Sequence, residues 1–157
     1  MIHRIDHVNL VVGDLEKMAG FYERGLGLRV TKRATIRGAW IDAVTGLTDV
    51  VADVAFLEAT AGPGIELLQY RTPPGTCPAE LGIPNTRGLR HIALRVTDID
   101  QLVAAMKAAG AEFFSDVQQV PAAQVDYADQ RKRLVYCRDP EGNLLELCSF
   151  DDAADSA

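Results

Sequence analysis

The chain carries the same pattern twice. The stretch Ile5-Asp6-His7-Val8-Asn9-Leu10-Val11-Val12, followed by Asp14-Leu15, returns as Leu89-Arg90-His91-Ile92-Ala93-Leu94-Arg95-Val96, followed by Asp98-Ile99. In the same way Gly64-Ile65-Glu66-Leu67-Leu68 returns as Asn143-Leu144-Leu145-Glu146-Leu147. Repetition of this kind constrains architecture before any single motif does, because both copies must fold alike. It also puts one early histidine and one late glutamate at equivalent positions of each module.

Each module reads as β-α-β-β-β. In the first, residues 5–12 alternate and are rich in β-branched types, and Asp14 stands where an N-cap belongs, with Lys17 in place of a capping-box glutamate. Leu15, Met18, Ala19, Phe21 and Tyr22 recur at helical spacing over about Leu15–Arg24, and Gly25-Leu26-Gly27 ends that helix. A strand near Leu28–Ile36, an irregular piece at 38–47 and strands near Ala52–Ala59 and Ile65–Tyr70 follow, the last two parted by Gly62-Pro63-Gly64. Residues 71–88, with four of the seven prolines, read as a linker.

The second module restarts with a strand at 89–96 and an N-cap at Asp98. The spacing predicts a helix over 99–109 with Leu102, Val103, Ala105, Met106 and Ala109 as its buried stripe and Gly110 as its stop. Strands near Glu112–Ser115, Arg133–Arg138 and Leu144–Phe150 complete the copy. The connection 116–131 is long enough to be a lid or binding loop, and residues 151–157 are expected to fray. The expected fold is α+β in a single domain, 1–157. Modules 1–70 and 89–150 form a cupped, partly open mixed sheet around a metal cleft.

Bulk properties exclude several classes. With 48% hydrophobic and 24% charged residues the composition is that of a globular protein, and no apolar run approaches the roughly 20 residues of a membrane span. A net charge of −6 argues against a nucleic-acid partner, which needs concentrated basic surface. The basic run Arg131-Lys132-Arg133 reads as a solvated loop edge, one of whose cations could meet an anionic substrate. The start, Met1-Ile2-His3-Arg4, has no cationic-then-apolar leader, so a cytoplasmic location is expected. Cys77, Cys137 and Cys148 are odd in number and lack CxxC spacing, which points to reduced thiols rather than disulfides or a thiolate zinc site.

The chemistry lies with the repeated residues. His7 and His91 each sit third in an alternating strand, so each projects to one face with its i±2 neighbours. Glu66 and Glu146 lie inside aliphatic strands, where a lone buried carboxylate is costly and needs a partner. Singly, each of the four has an ordinary structural explanation. Two equivalent modules related by a pseudo-twofold axis would instead bring two imidazoles and two carboxylates into one cleft. Such a sulfur-free set suits one divalent ion (Zn, Ni, Co, Mn, Fe or Mg) with positions left for water or substrate.

Several segments together resemble the vicinal oxygen chelate superfamily, which includes glyoxalase I, methylmalonyl-CoA epimerase, extradiol dioxygenases and the fosfomycin and bleomycin resistance proteins. They are Asp6-His7-Val8 with Asp14-Leu15 and Phe21-Tyr22…Gly25-Leu26-Gly27-Leu28, Ile65-Glu66-Leu67-Leu68, His91-Ile92-Ala93-Leu94 with Val96 and Asp98, and Asp139-Pro140-Glu141-Gly142-Asn143-Leu144-Leu145-Glu146-Leu147. The resemblance covers nearly the whole chain. It implies metal ligation by His7, Glu66, His91 and Glu146, with Glu146 or Glu66 doubling as general base. It implies an isomerase, epimerase or lyase acting on a small carbonyl or carboxylate substrate chelated to the metal.

Departures narrow the choice. Where glyoxalase I has Asn-Trp-Gly, this chain has Gln69-Tyr70-Arg71-Thr72-Pro73-Pro74, which argues against a glutathione thiohemiacetal. Methylmalonyl-CoA epimerase usually has Gln where Glu66 stands. Two alternatives stay open, an iron-dependent extradiol-type dioxygenase and a metal-free drug-binding protein of the bleomycin-resistance type. Further substrate contacts are expected from Asn9, Tyr70 and Cys148 by strand parity, from Trp40 in the irregular segment, and from Tyr127 and Arg131 on the long connection. The expected assembly is a homodimer, with a small molecule rather than nucleic acid or membrane as partner.

Overall fold

The computed structural model describes residues 1–152. One compact unit, Met1–Cys77, contains β1 (His7–Val11), α1 (Leu15–Leu26), β2 (Arg29–Arg37), α2 (Ala39–Thr45), β3 (Val51–Glu58) and β4 (Gly64–Thr72). The second unit begins at Pro78 and contains β5 (His91–Arg95), α3 (Ile99–Ala108), β6 (Glu112–Phe113), β7 (Gln118–Gln119), β8 (Gln130–Arg138) and β9 (Leu144–Asp152). The class is α+β, with one mixed sheet in each unit.

In the first unit the strand order is β1-β4-β3-β2, with β1 parallel to β4 and the other pairs antiparallel. A parallel pair needs a crossover, and α1 begins it. Asp14 accepts the Lys17 backbone N–H at 3.0 Å, a cap worth about 1 kcal/mol. Gly27 closes the helix at φ 69°, where a side chain would be strained. Gly25 lies inside the helix rather than ending it. The expected stripe of Leu15, Met18, Ala19, Phe21 and Tyr22 is buried, and α1 packs on β3 and β4. Ala55, Leu57, Ile65 and Leu67, which share one face of those strands by register, are buried beneath it.

The opposite face is covered only in part. The segment at 38–47 is a short helix rather than irregular chain. It is tied to the start of β3 by Asp42, whose carboxylate accepts the Val50 and Asp49 backbone N–H groups at 2.8 and 3.3 Å. Ile41 is its buried residue and seats on Val50, Ala52, Val54 and Leu68, with Ile36, Phe56 and Tyr70 around them. One buried position in a seven-residue helix leaves no periodicity to read.

The second unit has the order β5-β9-β8-β6, with β7 on β8 and β5 parallel to β9. Asp98 caps α3 through the Gln101 N–H at 3.1 Å. Its buried residues are Ile99 and Met106, while Leu102, Val103 and Ala109 are half-buried and Ala105 is exposed, so the expected stripe is narrower than its spacing suggests. The connection after β6 is shorter than expected, because β7 pairs with β8 and β8 starts at Gln130. Asp151 and Asp152 belong to β9, in register with Arg131 and Gln130, rather than to a frayed tail. The rest of that expected tail, 153–157, lies outside the described residues.

Candidate functional site

In the first unit the register places Asn9 beside Glu66, and Phe56 beside Glu66 from the other strand. Cα partners share a face, so His7, Asn9, Glu66 and Phe56 all point away from the α1 side. His7 Nε2 stands 3.6 Å from Glu66 Oε2, and Asn9 Nδ2 donates to that same oxygen at 2.7 Å. His7 Nδ1 meets Asp6 Oδ2 at 3.0 Å. That bond, then the one from Arg4, holds the Asp6 carboxyl below its ordinary range. A carboxylate can only accept, so the Asp6 contact uses a proton on Nδ1 and leaves Nε2 as the ring nitrogen that faces Glu66.

The second unit repeats the pair with different surroundings. His91 Nε2 stands 3.4 Å from Glu146 Oε2, and Glu146 is buried. The other oxygen, Oε1, accepts from Lys132 Nζ at 2.8 Å. This hydrogen bond, against the pull of burial, raises the Lys132 amine above its usual range. Tyr136 lies in register with Glu146 and its ring centroid is 5.1 Å from that of His91. Burial, followed by the Glu146 charge, raises its hydroxyl.

The His–Glu spacing tests the donors against a divalent ion. At 3.4 and 3.6 Å the facing N and O atoms are too far apart for a good hydrogen bond. Metal bonds of about 2.0–2.2 Å set two donors of one tetrahedral ion about 3.4 Å apart. Each pair therefore has the chemistry and the spread of two ligands, and Asp6 is oriented on His7 as a carboxylate behind a metal-binding imidazole is. Among the described residues no group of three or more His, Cys, Asp or Glu side chains stands together. The expected quartet is present as two pairs, one in each unit.

The remaining expected contacts divide. A cavity of about 570 Å³ in the first unit is lined by the polar Asn9, Glu66 and Lys32 and by Trp40, Ile41, Phe56 and Tyr70. Trp40 is 57% exposed on α2. Tyr127 packs edge-on against Phe150 at 5.5 Å in the second unit. Cys148 is buried, and that burial raises its thiol. Arg131 is part of β8 rather than of a loop, and alternation turns it to the face opposite Lys132, Tyr136 and Glu146.

Asp6, Lys132 and Tyr136 are site residues that sequence reading passed over. Asp6 stood inside the quoted strand motif, and its place next to His7 was the available signal. For Tyr136 the signal was its even spacing in a strand that pairs with the Glu146 strand. Lys132 was named only within the basic run, one of whose cations could meet an anionic substrate, and its place beside Glu146 was not readable because the strand was expected to begin after it.

The family model described as the Glyoxalase/Bleomycin resistance protein/Dioxygenase superfamily matches residues 4–147. The uncharacterized protein YwbC of Bacillus subtilis strain 168 is 26% identical over 147 residues, which span 94% of this chain and 98% of that one. A glyoxalase family protein from Bacillus cereus shares 31% identity at a TM-score of 0.82, covering 96% of this chain and 95% of its own. Glyoxalase I from Zea mays matches 92% of this chain with 44% of its own, at 19% identity and a TM-score of 0.64, a likeness of fold alone.

Proposed function

Because the chain belongs to the Glyoxalase/Bleomycin resistance protein/Dioxygenase superfamily, we propose that it is a divalent-metal-dependent enzyme that moves a proton within a small carbonyl- or carboxylate-bearing substrate, as an isomerase, epimerase or lyase. The duplicated His–Glu pair carries this reading: Nε2 faces a carboxylate oxygen at 3.6 Å in one copy and 3.4 Å in the other. The ligand pairs are His7 with Glu66 in one unit and His91 with Glu146 in the other. A bound divalent ion supplies Lewis-acid stabilisation of negative charge developing on the substrate oxygen.

The chain's own groups do the rest. Glu66 lines the cavity, which supports it over Glu146 as the glutamate that exchanges a proton with substrate. As the substrate C–H bond breaks, its electron pair passes toward the adjacent carbonyl and the proton passes to the Glu66 carboxylate, which returns it to the same or a neighbouring carbon. Asn9 Nδ2 holds the carboxylate through Oε2, which leaves the other oxygen of Glu66 to accept the proton. Trp40, Phe56 and Tyr70 offer apolar surface to the body of the substrate.

One observation favours a metal-free alternative, a binding protein of the bleomycin-resistance type, since Lys132 already supplies Glu146 with a cation. Metal analysis of the purified protein, coupled to a screen for solvent deuterium entering α-keto, α-hydroxy and acyl-thioester compounds, separates the two. One divalent ion per chain, lost in the His7→Ala, His91→Ala double variant, together with deuterium exchange, supports the enzyme. Full metal retention by the double variant overturns the ligand assignment, and absence of both metal and exchange in the wild type leaves the binding protein.

A further inference from the structure

We infer that Lys132 sets the metal affinity of the protein by competing with a divalent ion for the Glu146 carboxylate. This inference rests on the ligand assignment proposed above. The contact belongs to the interior: the side chains of Lys132 and Glu146 are 16% and 7% exposed, and Nζ lies 2.8 Å from Oε1. The ammonium also sits 5.9 Å from the ring centroids of Tyr127 and of Phe150, so two aromatic faces hold it where the carboxylate holds it. Only Oε2 of Glu146 is turned to His91.

The repeat shows that this arrangement is particular to one copy. Strand register aligns Phe56 with Glu66 and Ala52 with Tyr70 in the first unit, and Tyr136 with Glu146 and Lys132 with Phe150 in the second. Lys132 therefore occupies the position of Ala52. In the parallel strand, Asn9 stands beside Glu66 where Ala93 stands beside Glu146. One carboxylate is satisfied by a neutral amide from one side, the other by a cation from the opposite side. Proton release and hydrogen bonding are open to a neutral donor, but only the cation opposes the charge of an arriving metal ion. A divalent ion that takes Glu146 must either share the carboxylate with the ammonium or displace it. Either way the ion meets a like charge hydrogen-bonded to the ligand carboxylate, where Glu66 has the neutral Asn9 amide.

The test is direct titration of the metal-stripped full chain with Zn²⁺ and with Mn²⁺ by calorimetry, together with thermal melting without and with metal. Lys132→Met removes charge and hydrogen bond, Lys132→Gln removes the charge and keeps a donor, and Lys132→Arg keeps the charge. The expected result is binding tightened by at least about 10- to 100-fold in Lys132→Met and Lys132→Gln, below the roughly 1,000-fold of a full like-charge contact at an effective dielectric constant of about 20 because the flexible ammonium can swing aside. Lys132→Arg should remain close to wild type. Both neutral variants should melt at lower temperature than wild type without metal and recover on adding it, because the unpaired buried carboxylate then regains a cation.

Wild-type binding with equal or weaker affinity in the neutral variants makes Lys132 a structural partner only and overturns the inference, while leaving the metal reading intact. No binding by wild type together with one ion bound by Lys132→Gln supports the inference in its strongest form. No binding by any of the four proteins overturns it along with the ligand assignment on which it rests. Should Lys132→Met fail to fold, the Lys132→Gln and Lys132→Arg comparison decides alone, since these two differ in charge and both retain a donor.

Discussion

Replacing Asp139 should loosen the second unit in a way that its buried thiols can measure. Asp139 is 4% exposed at the turn between β8 and β9. Its Oδ1 accepts the backbone N–H groups of Glu141 and Asn143 at 3.0 and 2.9 Å, and its Oδ2 accepts from Asn143 Nδ2 at 2.8 Å. The backbone closes the same turn through Asp139 N–H to Asn143 O and Gly142 N–H to Asp139 O, each 3.0 Å. That turn fixes the register that puts Tyr136 beside Glu146. Hydrogen bonds to a charged group contribute about 1.5–3 kcal/mol each when both partners are buried. The donors here are half-buried and water can reach part of them, so Asp139→Ala should cost about 2–4 kcal/mol rather than the full sum. Asp139→Asn keeps a neutral acceptor for the two backbone donors but sets its own amide against that of Asn143, a cost of about 1–2 kcal/mol.

Cys137 and Cys148 are buried on the two strands that this turn joins, and Cys77 is exposed outside them. Alkylation of the buried pair, followed peptide by peptide by mass spectrometry, reports the opening of that hairpin. At 1.4 kcal/mol per tenfold, Asp139→Ala should label about 30- to 700-fold faster than wild type and Asp139→Asn about 5- to 30-fold faster, with Cys77 unchanged. Acceleration below about fivefold in Asp139→Ala, or an equal effect in the two variants, would refute the assignment of register control to this carboxylate.

Alkaline pH should open the same unit. Burial pushes the Cys137 thiol from 9.0 up to about 12, so its contribution to stability is fully present below pH 9 and is lost as the pH rises from there through about 12. Opening measured by hydrogen exchange should therefore become easier across that window, and Cys137→Ala should flatten the slope by up to about 1.4 kcal/mol per pH unit; an unchanged slope removes Cys137 as the cause. Phe21, 2% exposed and edge-on to Tyr22 at 5.4 Å, anchors α1 to its sheet. Phe21→Ala should cost about 3–5 kcal/mol in urea unfolding, and a cost under about 1 kcal/mol contradicts the packing described. Trp40, the single tryptophan, is exposed at the mouth of the cavity. Its emission should shift to the blue when a substrate with an apolar body fills the cavity, and emission unmoved by a compound that exchanges deuterium places that substrate elsewhere.

What was legible in the sequence was what local physics decides. Asp14 and Asp98 cap their helices as short polar side chains before apolar stripes do, and Met18, Phe21 and Tyr22 are buried because helical spacing gathers them on one face. Helix α2 was hidden because Asp42 and Ile41 hold it through contacts with β3 rather than through any stripe of its own. The start of β8 was hidden for a related reason. Gln130, Arg131 and Lys132 carry no hydrophobic alternation, and their strand state comes from pairing with Asp152, Asp151 and Phe150. The His and Glu positions were singled out only because each occurs twice, and each unit holds them as one facing pair. Lys132 on Glu146 depends on a register fourteen residues apart, across a hairpin whose near edge looked like loop.

The two copies have kept one feature and exchanged others, and the exchange follows from what a buried carboxylate requires. A glutamate among aliphatic strands must have a donor, and a strand offers it one from either neighbour. Glu66 takes its donor from β1, through Asn9, which leaves the β3 side of the face to Phe56 and the apolar cavity. Glu146 takes its donor from β8, through Lys132, which allows Ala93 on the β5 side to be small. The duplicated frame thus retains the imidazole–carboxylate pair while the neighbours on either side diverge, one face toward apolar surface and one toward positive charge. A two-part exchange tests that account: Ala93→Asn combined with Lys132→Ala gives the second copy the surroundings of the first. That double variant should regain much of the stability lost by Lys132→Ala alone, because Glu146 then receives a donor from the strand that supplies Glu66. Failure of the amide to restore stability would mean that Glu146 requires the charge itself, and that the two carboxylates are equivalent in position only.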